Sequence, residues 1–97
     1  MSAFMISQIT ITDAEKFQEY LTKTQIVATP YGAQMMFRGK LNSVLNGQAK
    51  DHSIVVAVRF PDAEKLNSWF HSTDYQALIP LRDASSIQIM TAYDGLD

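Results

Sequence analysis

The stretch that decides the fold is Ile54–His71, which reads IVVAVRFPDAEKLNSWFH. Its first seven residues, Ile54–Phe60, are rich in β-branched and aromatic side chains, which favour a β-strand. A proline then interrupts the strand, and the carboxylate of Asp62 is suited to cap a helix that we predict from Ala63 to about His71. This stretch is therefore predicted to form a strand followed by an amphipathic helix. The apolar stripe of that helix has spacings of three and four and consists of Leu66, Trp69 and Phe70.

A second strand and helix precede this unit. We predict the first strand at Phe4–Ile11, where β-branched residues again favour extended structure. Thr12 and Glu15 have the spacing of a capping box, so a helix is predicted to begin there. It runs to Pro30, because the residue before a proline disfavours helical angles. A strand from about Ala33 to Arg38 follows.

The C-terminal part adds a helical insert and a last strand. Ser72 or Thr73 can cap a short segment from Asp74 to about Ile79, which Pro80 is expected to end or kink. The last strand is predicted at Ile87–Tyr93, where apolar and β-branched residues recur.

The resulting order is β-α-β-β-α-β, the split motif of the ferredoxin-like α+β fold. We predict a single domain over residues 1–97, with one four-stranded antiparallel sheet and its helices on one face.

Composition excludes several function classes. The chain has 97 residues with 46% hydrophobic and 19% charged side chains, which is typical of a folded domain. It has no cysteine, so disulfides, zinc-thiolate sites and cysteine nucleophiles are excluded. The net charge is −2 and the basic residues are scattered, so no nucleic-acid partner is expected. No run approaches the roughly 20 apolar residues that span a bilayer, and no signal peptide is evident, so a cytoplasmic protein without a membrane partner is predicted.

Both faces of the predicted sheet are apolar. In the third strand Val56, Val58 and Phe60 alternate with Val55 and Ala57. The helices can cover only one face, and an uncovered apolar sheet face exceeds the patches that monomers usually expose. We therefore predict a homodimer packed through the face opposite the helices. The other strands alternate in the same way. In the first strand Phe4 and Ile6 point to one face of the sheet, and Met5, Ile9 and Ile11 point to the other. In the second strand Met35 and Phe37 point to one face and Met36 to the other. The alternative is that the helical insert folds across the open face.

Several short motifs follow one another along the chain in a specific order and spacing: Thr12–Tyr20, Tyr31-Gly32, Phe37–Gly39, Phe60–Asp62, Trp69–Ser72, Tyr75–Leu78 and Leu81-Arg82. Together they resemble the bacterial domain-of-unknown-function 1330 family over nearly the whole length of the chain. The resemblance implies a dimeric α/β barrel, a ferredoxin-like fold paired through its sheets, with no established activity. The chain departs from the usual pattern after Gly39, and Phe70 stands where a Tyr is common.

The candidate site is the polar cluster in the otherwise apolar segment that begins at Trp69. An Arg82 fork supplies two parallel donors for a carboxylate or enolate, although Arg82 could instead form an ion pair that fixes its loop. His71 could act as a general base or could simply end its helix. Tyr75 and Trp69 fit either a core or a ligand platform. The predicted ligand-binding residues are Trp69, His71, Tyr75, Arg82 and Arg38.

Two function classes remain open from the sequence. In the first, a pocket between sheet and helices binds a small anionic or carbonyl-bearing molecule. In the alternative, the protein is a cofactor-independent enzyme of the monooxygenase or isomerase type, which would need a titratable group such as His71 or Asp83 in a closed pocket. No metal is predicted, because two distant His residues give no ligand spacing. No cofactor is predicted either, because the dinucleotide fingerprint and the phosphate loop are missing.

Overall fold

The computed structural model describes residues 1–48 and 52–96, and within these ranges the chain forms four strands and four α-helices. The strands are β1 (Ala3–Ile11), β2 (Gln34–Lys40), β3 (Ile54–Phe60) and β4 (Ser86–Asp94). The helices are α1 (Ala14–Ala28), α2 (Ala63–Phe70), α3 (Thr73–Gln76) and α4 (Ile79–Ser85), and a 3₁₀ turn at Thr29–Tyr31 follows α1.

The strands form one antiparallel sheet in the order β2-β3-β1-β4. The two strands that are next to each other in the centre, β1 and β3, are far apart in sequence, which is the arrangement that the split β-α-β motif produces. The ferredoxin-like α+β fold predicted from the sequence is confirmed.

The hydrophobic core lies between one face of this sheet and the helices. Because side chains alternate across a strand, Ala3, Ile9, Val56 and Phe60 share the core face. The helices contribute Phe17, Tyr20, Leu66, Trp69 and Tyr75 to the same cluster. The insert made of α3 and α4 packs on this side too, since Leu78, Ile79 and Leu81 contact the core. The insert therefore does not cover the opposite face.

The opposite sheet face, here called the open face, exposes large apolar side chains. By the observed register Phe37, Ile87, Ile89 and Tyr93 belong to this face, and each is at least 50% exposed. The prediction that both faces are apolar is thus confirmed for the protomer.

Three local predictions need correction. Helix α1 is capped by Asp13, whose Oδ1 accepts from the Lys16 amide at 3.1 Å; the Thr12 amide is already held by the Ser85 carbonyl at 2.9 Å. Pro80 lies in the first turn of α4 and does not end a helix. Backbone amides in the first turn of a helix have no intrahelical acceptor, so the missing N–H of a proline costs no hydrogen bond there.

The third correction concerns β2. A β-bulge between Met35 and Phe37 places Met35 opposite Val58 and Phe37 opposite Ala57. These two side chains therefore lie on opposite faces, whereas strict alternation predicted the same face.

No helix in the described part of the chain is both long and apolar enough to cross a membrane. The cytoplasmic location stays a prediction.

Candidate functional site

A cavity of about 160 Å³, here called the α1 cavity, lies between α1 and the core face of the sheet. Most of its wall is apolar, with Val56, Val58 and Phe60 of β3 at its base. Polar side chains also line it, from α1 and from three strands: Ser7, Tyr20, Thr24, Gln25, Arg38 and Gln88.

A second cavity of about 300 Å³, here called the α2 cavity, lies between α2 and strands β1 and β4. Arg82, Phe70 and Met90 line it. Met5, Trp69 and Gln88 line both cavities, so these three side chains form the wall between them. The two spaces are therefore neighbours on the same core face.

Trp69 is the central residue of this wall. Helix α2 begins where Asp62 Oδ1 accepts from the Lys65 amide at 2.8 Å, and its turns then direct Leu66 and Trp69 into the core. The indole is 3% exposed, and its ring centroid lies 5.3 Å from that of Phe60 and 4.5 Å from that of Tyr75. Its Nε1 group is buried, and none of the residues that the structure describes is placed to accept a hydrogen bond from it. An unpaired buried donor costs about 1–3 kcal/mol, so this is an unusual feature for a core tryptophan.

A hydrogen-bonded chain joins three helices beside Trp69. The hydroxyls of Tyr20 on α1 and Tyr75 on α3 are 2.9 Å apart, and Arg82 Nη1 on α4 donates to the Tyr75 hydroxyl at 3.3 Å. Met90 Sδ is 3.5 Å from both Tyr75 Oη and Arg82 Nη1. Burial, followed by the neighbouring Tyr75, raises the pKa of Tyr20 well above its ordinary value. Tyr20 therefore stays a neutral hydroxyl at the wall of the α1 cavity.

Most donors of Arg82 are already used within the protein. Besides Nη1, its Nε donates to Asp83 Oδ1 at 3.1 Å, with the Arg82 side chain 18% and the Asp83 side chain 64% exposed. Burial lowers the pKa of Arg82, but the hydrogen bonds to Tyr75 and Asp83 outweigh it and raise the pKa overall. Among the described residues no side chain accepts from Nη2. The guanidinium therefore holds neighbouring elements together through Nε and Nη1, and the Arg82 side chain also lines the α2 cavity.

The structure brings together three of the five residues predicted for the site. Trp69, Tyr75 and Arg82 form one contiguous group, but Tyr75 is fully buried and lines neither cavity. Arg38 lines the α1 cavity from β2. His71 is the exposed residue at the C-terminal end of α2; it lines neither cavity, and its ring packs edge-on against Phe70.

Sequence reasoning missed the polar contribution of α1 and of the strands. Neither Tyr20 nor Thr24 was among the predicted ligand-binding residues. The Thr24 hydroxyl is the weakest influence on the Tyr20 pKa, and in the described part of the chain it makes no hydrogen bond of ordinary geometry. Ser7 and Gln88 interrupt the apolar core face and bond to each other at 2.7 Å. A polar residue at a core-facing strand position is a signal that alternation could have revealed.

Within residues 1–48 and 52–96, no group of three or more His, Asp or Glu side chains is placed to hold a metal ion. Nor does any of these side chains line either cavity in the described part of the chain. The polar groups available to a ligand there are hydroxyls, amides, an indole and guanidinium groups. This set can donate hydrogen bonds and attract negative charge, but it offers no carboxylate or imidazole base.

The sheet order and the helices on one face define a ferredoxin-like α+β protein. The chain belongs to the DUF1330 family: the model of the domain of unknown function (DUF1330) matches residues 2–96. No curated protein matches the sequence.

Solved structures support the same fold. The RPA0582 protein of unknown function from Rhodopseudomonas palustris is similar with a TM-score of 0.82 at 15% identity, over 99% of this chain and 83% of that one. A dimeric ferredoxin-like protein of unknown function from Jannaschia sp. CCS1 has a TM-score of 0.75 at 10% identity, over 98% and 100% of the chains. SnoaB, a cofactor-independent oxygenase from Streptomyces nogalater, has a TM-score of 0.71 at 11% identity, over 99% and 94%. At these identities the likeness establishes the fold alone.

Proposed function

We propose that this protein binds a small organic molecule with a carbonyl or anionic group in the α1 cavity. The observation that carries the proposal is the buried Trp69 Nε1, a donor with no partner among residues 1–48 and 52–96, on a ring that lines an apolar cavity. A ligand oxygen that accepts from Nε1 removes the cost of the unpaired donor, and the apolar walls strengthen that hydrogen bond by excluding water. The neutral Tyr20 hydroxyl supplies a second polar contact in the same wall.

The chemistry of the lining favours binding over acid-base catalysis. A general base must lie within hydrogen-bond reach of its substrate. In the described ranges, His71 and Asp83 are both exposed and line neither cavity. The enzymatic alternative draws support from the similarity of fold to the oxygenase SnoaB. Within residues 1–48 and 52–96, the cavity walls supply no carboxylate or imidazole for an activity of that kind.

Arg82 has a more limited role in the proposal than the bidentate binding of a carboxylate or enolate that the sequence suggested. With Nε and Nη1 engaged by protein acceptors, a ligand in the α2 cavity can reach Nη2 alone. Its main contribution is then to hold Tyr75, and through it Tyr20, against the cavity wall.

We also propose that two copies of the chain pair through the open face. Support comes from the exposed apolar side chains on that face and from the insert, which packs on the other side. The Jannaschia protein of the same fold is described as dimeric. Light scattering coupled to size exclusion should give twice the chain mass of 10.9 kDa at micromolar concentration. A monomer throughout that range contradicts the pairing.

Ligand binding can be tested at a single nucleus, because Trp69 is the only tryptophan of the chain. Its indole N–H gives one resonance in a ¹⁵N-labelled sample. Cyclohexanone is a suitable probe, since a cavity of roughly 150 Å³ holds one six-membered ring. We expect a saturable downfield shift of the indole proton as Nε1 gains an acceptor.

Matched variants on α1 locate the binding. Ala28→Leu places bulk in the α1 cavity and should abolish the shift, whereas Ala14→Leu at an exposed position of the same helix should leave it unchanged. An indole resonance that stays unmoved by cyclohexanone up to its solubility limit would refute the binding proposal.

A further inference from the structure

The β-bulge in β2 determines which side of the sheet Arg38 faces. Without the extra residue, alternation from Met35 would direct Arg38 to the open face. The bulge shifts the register so that Arg38 lies opposite Val56, a core-face residue, and Arg38 lines the α1 cavity. Bulges commonly re-aim a side chain in this way next to functional sites.

Arg38 gives the α1 cavity a positive rim. It is exposed, and within residues 1–48 and 52–96 no ion pair or side-chain hydrogen bond engages it. Lys40, two residues along, is on the same face of β2, opposite Ile54. No acidic side chain in the described ranges lines the cavity, so nothing in its wall opposes this positive charge.

Trp69 and Arg38 line the α1 cavity beside well-separated positions of β3. Trp69 packs on Phe60, whereas Arg38 lies opposite Val56, four residues earlier on that strand. Four residues of a strand span about 13 Å, and an arginine side chain reaches over part of that length. A volume of about 160 Å³ leaves space between them for the body of one six-membered ring.

The geometry points to a small carboxylic acid with a second acceptor at its far end, such as a cyclic keto acid, as the ligand class of the α1 cavity. This inference rests on the proposed function and assigns the two ends of the ligand. The carbonyl oxygen accepts from Trp69 Nε1 at the Phe60 end, the ring fills the apolar middle, and the carboxylate pairs with the Arg38 guanidinium at the rim. Arg38 suits that role because its fork matches a carboxylate with two parallel donors.

Three probes built on one ring separate the contributions. They are 4-oxocyclohexanecarboxylate, cyclohexanecarboxylate, which lacks the ketone, and cyclohexanone, which lacks the carboxylate. Calorimetry should rank the keto acid as the tightest binder, and only the two ketones should shift the indole N–H resonance downfield. Arg38→Met should weaken both carboxylates by about tenfold or more, as expected for a lost charge-assisted hydrogen bond, and leave cyclohexanone unchanged.

Lys40→Met is the matched control, because it removes a nearby charge of the same sign from a residue that does not line the cavity. Weakening by Lys40→Met as large as that by Arg38→Met would mean general attraction to the surface and overturn the inference. Equal affinity for cyclohexanone and the keto acid, with no effect of Arg38→Met, would also overturn it while leaving the proposed function intact. Failure of all three probes to bind would instead refute the proposed function, and the inference with it.

Discussion

Replacing Trp69 by phenylalanine should leave the free energy of unfolding within about 1 kcal/mol of the wild type, although the residue is 3% exposed. The smaller ring loses about two carbons of buried surface, which at about 0.8 kcal/mol per carbon amounts to roughly 1.6 kcal/mol, with a small further cost for the space left behind. The substitution also removes the unpaired Nε1, which relieves about 1–3 kcal/mol. The two effects oppose each other and nearly cancel.

Trp69→Ala is the companion variant, and it should cost about 3–5 kcal/mol because it removes the packing against Phe60 and Tyr75 as well. Urea denaturation followed by circular dichroism measures both values without the tryptophan signal, at one fixed protein concentration because the proposed dimerisation would contribute to apparent stability. If the phenylalanine variant loses as much as the alanine variant, Nε1 is satisfied in solution and the reasoning from an unpaired donor fails. A loss under about 1 kcal/mol for the alanine variant would instead overturn the core assignment of Trp69.

Three further predictions follow from the open face and the hydrogen-bonded chain. Ile89→Asp, on the open face, should convert a dimer to a monomer in light scattering, whereas Ile26→Asp at a still more exposed position of α1 should not; a dimer in both would place the interface elsewhere. Arg82→Met should cost about 1.5–3 kcal/mol in chemical denaturation because it removes charged donors from buried acceptors, whereas Asp83→Asn at the exposed end should cost less than about 1 kcal/mol; equal losses would assign the effect to the ion pair. Burial raises the pKa of Tyr20 in the folded state above the ordinary tyrosine value of about 10. Above about pH 10 the unfolded chain therefore loses this proton while the folded protein keeps it, so the contribution of Tyr20 to stability is complete below that pH and declines above it. Tyr20→Phe should therefore flatten the loss of stability measured above about pH 10, and an unchanged slope would contradict the raised pKa.

The architecture was accessible from the sequence because each signal is local. The β-branched run Ile54–Phe60 and the cap at Asp62 need no distant partner to be recognised, and both are confirmed. Pro80 shows where local signals fail. A proline can end one helix or begin the next, and the choice depends on whether the residues after it pack, as Leu81 does against the core.

The site was predictable only in part for the same reason. Tyr75 and Arg82 are seven residues apart in the same polar cluster of the sequence, so their proximity could be inferred although they belong to two helices. Tyr20 joins them from 55 residues away, and no local pattern indicates that contact. The bulge in β2 has no sequence signature in a run of Met and Phe, yet it decides the face on which Arg38 lies.

The unpaired indole connects stability to binding in this protein. A donor buried without a partner lowers the stability of the empty protomer, and an acceptor supplied by a ligand recovers that free energy on binding. Ligand binding to the folded state alone also raises apparent stability by mass action. Trp69→Phe removes the Nε1 donor, and with it both the free-energy cost of leaving that donor unpaired and the gain from pairing it with a ligand. The variant should therefore keep the fold while losing the preference for ligands that carry a carbonyl. A carboxylate held at Arg38 should be unaffected by that change. Substitutions at Trp69 and at Arg38, which both line the α1 cavity, can therefore separate the contributions of the two ends of the proposed ligand.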